Sequence, residues 1–264
     1  MEKIYWQAHQ STSPVMPENT LPAFNYAWRL GGIPEADIRT TGDGKIICLH
    51  DSTLKRTTDA KGEIADLPVS YLAFDLIEDF TVGGQRGVTV PLLEDVFLEL
   101  RADSQRLLYL DLKDVELEEL VALIEKHKVA KQLIFAHNIQ RNCQIIKELN
   151  SEIRTMLWIG GEGIEEAFTQ AIKTQFQGLD QVQLHLYDAE DGAWPYKIDF
   201  AFIEEAYLVT KERGIDLEVL PFTLHQEPLW RMLDLGIRWF AIDYPKDFLQ
   251  LVQFWQERRG IDGN

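Results

Sequence analysis

The sequence predicts an α/β protein: a single (β/α)8 TIM-type barrel with a small insertion after the second strand. Short apolar segments alternate with segments of helical period along the whole chain, the pattern of a parallel sheet with right-handed crossovers. Eight such repeats occur, enough for the sheet to close. A length of 264 residues with 45% apolar content suits one domain with a full core.

The first strand is expected at residues 4–9, ending in Ala8-His9, and a helix with a weak apolar stripe at 18–30. The second strand, at 33–40, is joined through Gly42-Asp43-Gly44 to an arm at 45–50. Residues 51–90, with Gly62, Pro68, Gly83, Gly84 and Gly87, interrupt the rhythm as an inserted lobe instead of one ordinary helix. Further strands are expected at 106–112, 132–136, 154–159, 181–186, 217–223 and 238–242. Between them the i, i+3, i+4, i+7 rule marks helices: Leu93, Val96, Phe97 and Leu100; Leu117, Leu120, Val121 and Ile124. The same spacing holds for Ile164, Ala167, Phe168 and Ala171; for Leu229, Met232, Leu233 and Gly236; and for Phe248, Leu251, Val252 and Trp255. Residues 139–149 and 202–213 supply the remaining crossovers.

Lys and Arg number 26 against 43 Asp and Glu, a net charge of −17. Nucleic acid and anionic membranes reward a basic surface, so neither is expected as a partner. Any phosphate must be met by a local cation. No run approaches the roughly 18 apolar residues of a membrane span, so stable membrane insertion is not expected. The start, Met-Glu-Lys-Ile-Tyr-Trp, shows no signal-peptide pattern. Cys48 and Cys143 sit far apart in apolar segments and read as buried thiols, not a disulfide. A cytoplasmic location is expected.

Barrels of this kind carry their chemistry at the C-terminal ends of the strands. The first strand ends in His9, and the second carries Glu35 and Asp37, two apart and therefore on one face. Two carboxylates side by side repel unless a cation lies between them. The arm ends in His50-Asp51, and the next strand yields Asp111 and Lys113, again two apart. Asp111 and Lys113 alone would be a surface ion pair, and His9 alone a structural residue. Together, oxygen-only ligands suit Mg²⁺ or Ca²⁺, two histidines suit proton transfer, and the lysine suits a phosphate oxygen. The composite reads as metal-assisted phosphodiester hydrolysis. Arg39 shares the face of Asp37 and is a candidate second cation for the phosphate or, more simply, an ion-pair partner of a nearby acid. His137 and His225 lie near strand ends without evident partners, and Trp194 near Pro195 is a candidate for the rim.

His9, Pro17-Glu18-Asn19-Thr20-Leu21, Glu35-Ala36-Asp37 with Asp43-Gly44, His50-Asp51-Ser52-Thr53-Leu54 with Arg56-Thr57-Thr58, Pro91-Leu92-Leu93-Glu94-Asp95-Val96, Leu110-Asp111-Leu112-Lys113 and Ile242-Asp243-Tyr244-Pro245 closely resemble the glycerophosphodiester phosphodiesterases. The resemblance touches both ends of the barrel, while residues 126–218 match no motif. It implies that Glu35, Asp37 and Asp111 hold one divalent cation, Mg²⁺ or Ca²⁺. It further implies that His9 and His50 act as general acid and base, and that Lys113 contacts the phosphate of a small glycerophosphodiester. The implied products are sn-glycerol 3-phosphate and an alcohol. Three positions depart from the family pattern. Gln10, assigned here to the phosphate, stands where an arginine is usual, and losing a charge-assisted bond weakens binding by about 1.5–3 kcal/mol. Asp111 replaces the commoner glutamate, and Phe222-Thr223 replaces Trp-Asn. Two alternatives keep the same barrel: a phosphodiesterase for lysophospholipids or other lipid headgroups, with Leu54, Leu67, Tyr71, Leu72, Phe74, Leu76 and Phe80 beside the mouth, or a phosphodiester-binding barrel with impaired catalysis.

Overall fold

A computed structural model of the chain describes residues 2–11, 16–58, 60–73, 88–192 and 194–260. Among these, nine strands form one sheet: β1 (Tyr5–Ala8), β2 (Ile33–Thr40), β3 (Ile46–Cys48), β4 (Leu108–Leu112), β5 (Leu133–His137), β6 (Arg154–Ile159), β7 (Gln181–Leu186), β8 (Asp216–Pro221) and β9 (Trp239–Ile242). The order is β1-β9-β8-β7-β6-β5-β4-β2-β3, and β1 also pairs with β2, which closes eight parallel strands into a barrel. β3 lies outside the ring, antiparallel to β2, with Ile38 opposite Cys48. It is shorter than the arm the sequence suggests, although Leu49 N still donates to the Asp37 carbonyl (2.8 Å) before the chain reaches His50.

The crossover helices are α1 (Leu21–Arg29), α2 (Leu93–Arg101), α3 (Leu117–His127), α4 (Gln140–Leu149), α5 (Ile164–Lys173), α6 (Phe200–Glu212), α7 (Gln226–Leu235) and α8 (Pro245–Arg258). Helix α1 starts later than its sequence stripe because Thr20 takes the capping position, where its hydroxyl accepts from Ala23 N. Strand alternation sorts the side chains into two layers. Phe135 and Phe240 face outward from their strands into the layer where Phe24, Phe97, Phe168 and Phe248 come in from the helices, and all six are fully buried. Each such burial contributes about 1.5–3 kcal/mol. Ile33, Tyr109, Ile134, Ala136, Met156 and Trp239 pack inside the barrel. The interior is also polar at depth, where Gln181 Nε2 donates to Glu218 Oε2 (2.5 Å) and to Tyr109 Oη (2.9 Å).

After β3, Ile47, Leu49, Leu54 and Ile64 form a small separate core with Leu67, Val69, Val90 and Leu92 against it. Short 3-10 turns at Ile64–Asp66 and Val69–Ala73 complete the described part of this region. Residues 59 and 74–87 of the expected lobe, with Phe74, Leu76, Phe80, Gly83, Gly84 and Gly87, lie outside the described residues.

Candidate active site

At the C-terminal mouth, β2 and β4 run in register with Asp37 opposite Asp111. Both carboxylates and that of Glu35 are buried, and an oxygen from each lies within 4.8 Å of the others. Burial, reinforced by Asp37 and Asp111 and opposed by His9, raises Glu35 to about 7. Burial likewise raises Asp111, with Lys113 pulling the other way. Carboxylates crowded so closely that their charges help to raise Glu35 and Asp111 are a site awaiting positive charge. Asp37 Oδ1 is buried and accepts no hydrogen bond from the described residues, and the Lys113 ammonium lies 3.0 Å from it as ion-pair partner. An all-oxygen donor set with this buried atom fits a hard divalent cation.

Each of the three acids is oriented from outside. Gln10 N donates to Glu35 Oε2 at 2.6 Å, from a residue in the left-handed region with φ 51°. Asn19, at φ 53°, donates Nδ2 to Asp37 Oδ2 (2.6 Å) and accepts Asp37 N at Oδ1 (2.8 Å). Trp158 Nε1 donates to Asp111 Oδ1 at 3.1 Å. Such outer partners fix ligand geometry. Lys113 Nζ donates to Asp111 Oδ2 at 2.6 Å, so the sequence's suspected surface pair is a part-buried one inside the mouth.

The two histidines are each paired through Nδ1 with a carboxylate: His9 with Asp243 Oδ1 at 2.8 Å, and His50 with Asp51 Oδ1 at 2.9 Å. A carboxylate can only accept, so each Nδ1 carries the proton. Burial alone would lower His9, but the Asp243 hydrogen bond and the charges of Glu35, Asp243 and Asp37 outweigh it and raise the ring to about 9. Asp51 is held well below the usual carboxylate range, chiefly by its hydrogen bonds from Arg56.

The opposite wall comes from β6, β7 and the end of β8. Trp158 stacks on His185 with ring centroids 5.3 Å apart, Tyr187 stacks on Phe222 at 4.9 Å, and Phe222 meets His9 edge-on at 6.0 Å. His185 Nε2 donates to Gln183 Oε1 (2.9 Å), and burial lowers the ring to about 4, which keeps it neutral. Gly160 is required here, since a Cβ would enter the His185 ring. Neither His185 nor Trp158 is among the site residues expected from the sequence. The signal that would have found this wall was the two-residue spacing Gln181, Gln183, His185, Tyr187 on one inward face.

Arg39 corrects the idea of a second phosphate cation. Its Nε and Nη2 donate to the His50 carbonyl (2.9 and 2.7 Å) and its Nη1 to Asp114 Oδ2 (2.6 Å), the simpler ion-pair outcome. His137 accepts from Ile139 N at Nδ1, and His225 sits at the start of α7, 3.7 Å from Asp188. Trp194 packs against Tyr196 and Phe200 and donates to the Ile198 carbonyl.

Residues 9–247 match the model of the Glycerophosphoryl diester phosphodiesterase family. A glycerophosphodiester phosphodiesterase of Caldanaerobacter subterraneus subsp. tengcongensis is 26% identical over 93% of this chain and 96% of its own. One of Bacillus subtilis is 25% identical over 94% and 86%. Among solved structures, an Oleispira antarctica phosphodiesterase in complex with the product sn-glycerol-3-phosphate superposes with a TM-score of 0.73 at 22% identity, covering 94% of this chain and 96% of that one.

Proposed function

Because the chain belongs to the glycerophosphoryl diester phosphodiesterase family and is an enzyme of that class, we propose that it hydrolyses small glycerophosphodiesters to sn-glycerol 3-phosphate and an alcohol with one divalent cation, Mg²⁺ or Ca²⁺. The observation that carries this reading is the convergence of a buried three-carboxylate cluster and two histidine–carboxylate pairs on one barrel mouth. Glu35, Asp37 and Asp111 would hold the cation, which when bound supplies charge stabilisation to the phosphoryl oxygens. Lys113, already in the mouth, adds a cation for the phosphate, and Gln10, whose backbone N–H holds Glu35, is assigned its uncharged side-chain donor for the same phosphate. His9 and His50 divide the proton work: one takes the proton of the attacking oxygen, and the other gives a proton to the departing alkoxide. The product named for the Oleispira relative is the one this reading requires. Among the described residues no helix is long and apolar enough to cross a membrane. Cys48 and Cys143 are both buried and free, which supports a reducing cytoplasm as its location.

The test is release of glycerol 3-phosphate from glycerophosphocholine by EDTA-stripped protein, with Mg²⁺ or Ca²⁺ restored and with a lysophospholipid in parallel. Cation-dependent release that falls by about 10²-fold or more in His50→Ala is expected. A protein that binds the cation yet turns over neither substrate overturns the reading.

A further inference from the structure

We propose that Arg56 is a positioning residue for His50, acting through Asp51 and anchored by Glu18. The proposal rests on the role given to His50 above. The Arg56 guanidinium makes two forks at once. Nε donates to Asp51 Oδ2 and Nη2 to Asp51 Oδ1, both at 2.8 Å. Nη1 donates to Glu18 Oε2 at 2.8 Å and Nη2 to Glu18 Oε1 at 2.7 Å. Both oxygens of Asp51 are therefore taken, and Oδ1 also accepts from His50 Nδ1. A carboxylate pinned at both oxygens cannot rotate, so it offers the imidazole one direction only. With the Nδ1 proton committed to Asp51, the opposite nitrogen, Nε2, is the one available for proton exchange.

Glu18 gives the clamp a fixed end. Its side chain is 12% exposed, against 47% for Arg56, and it lies one residue before Asn19, which holds Asp37. The clamp thus joins the segment after β1 to the segment after β3, the two that lead from His9 and from His50. An exposed Arg–carboxylate pair contributes little to stability, so the consequence of the double fork lies in orientation. Only the planar guanidinium can serve both acids in this way; a lysine ammonium makes point contacts.

The test compares wild type, Arg56→Lys and Arg56→Ala by kcat and KM on glycerophosphocholine, by thermal melting, and by nitrogen-15 NMR of the His50 ring. Both variants are expected to keep a cooperative melt and a KM within about twofold, while kcat falls by roughly 10- to 100-fold. The His50 signals should change from a single Nδ1-protonated tautomer to a mixture. Adding Asp51→Asn to Arg56→Ala should cost no more than Asp51→Asn alone, since both act through the same contact. A wild-type kcat in Arg56→Ala, an unchanged His50 tautomer in Arg56→Lys, or fully additive losses would each overturn the proposal. If the wild type itself hydrolyses no glycerophosphodiester, the functional reading fails, while the NMR arm still decides whether Arg56 orients His50.

Discussion

At Glu218 the barrel interior holds a carboxyl that solvent does not reach, beside the Gln181 amide and the Tyr109 hydroxyl. Burial pushes it from its ordinary 4.5 up to about 8. Between those values the folded protein keeps a proton that the unfolded chain has released, so the folded state binds more protons and stability falls as pH rises through this window. Below about 4.5 both states are protonated and the contribution is fully present. The effect over the window is on the order of several kcal/mol. Glu218→Gln is expected to flatten the pH dependence of urea unfolding between pH 5 and 8; parallel curves for the two proteins would refute this. Such a residue was invisible in the sequence, because its environment is made by Tyr109 and Gln181 from β4 and β7. Asp243 lies in one of the quoted family motifs, but its pairing with His9 across 234 residues was equally hidden. Glu35, Asp37, Asp111 and Lys113 were legible because their two-residue spacing at strand ends states their shared face directly.

The segment from Met16 to Thr20 does more than connect β1 to α1. Thr20 caps the helix while Asn19 braces Asp37 from both sides. Asn19→Gly accepts the φ of 53° without strain and removes both bonds to Asp37. Titration calorimetry with Mg²⁺ or Ca²⁺ should show affinity falling about 10- to 100-fold, and an unchanged affinity would show that Asp37 needs no brace. The elements themselves were read well where apolar period is strong, as in β6 and β7, whose limits match the expected 154–159 and 181–186. Ends drifted where a local contact decides them. Strand β8 stops at Pro221, which brings Phe222 out of the expected strand and into the aromatic wall.

The whole molecule carries a net charge of −17, while its substrate carries a phosphate. At low ionic strength that field opposes the approach of an anion, and salt screens it over about 10 Å at 0.1 M. For a net-anionic diester such as glycerophosphoglycerol, kcat/KM is expected to rise severalfold from 10 to 150 mM monovalent salt, with zwitterionic glycerophosphocholine nearly flat. A fall with salt would mean that the cations of the mouth, not the global charge, govern encounter. The fold class was legible because eight repeats of one pattern leave few topologies; the closure through β1 and β2 is what repetition implies but cannot display. That closure has a consequence for synthesis. β1 is flanked by β2 and by β9, the strand that completes the barrel, and Asp243 follows directly after it. At roughly 5–20 residues per second, a ribosome needs on the order of ten to fifty seconds to deliver both halves of the seam. Throughout that interval the nascent sheet keeps its edges open and His9 has no Asp243, so the emerging polypeptide is exposed to edge pairing and its site is incomplete until β9 and Asp243 have been made.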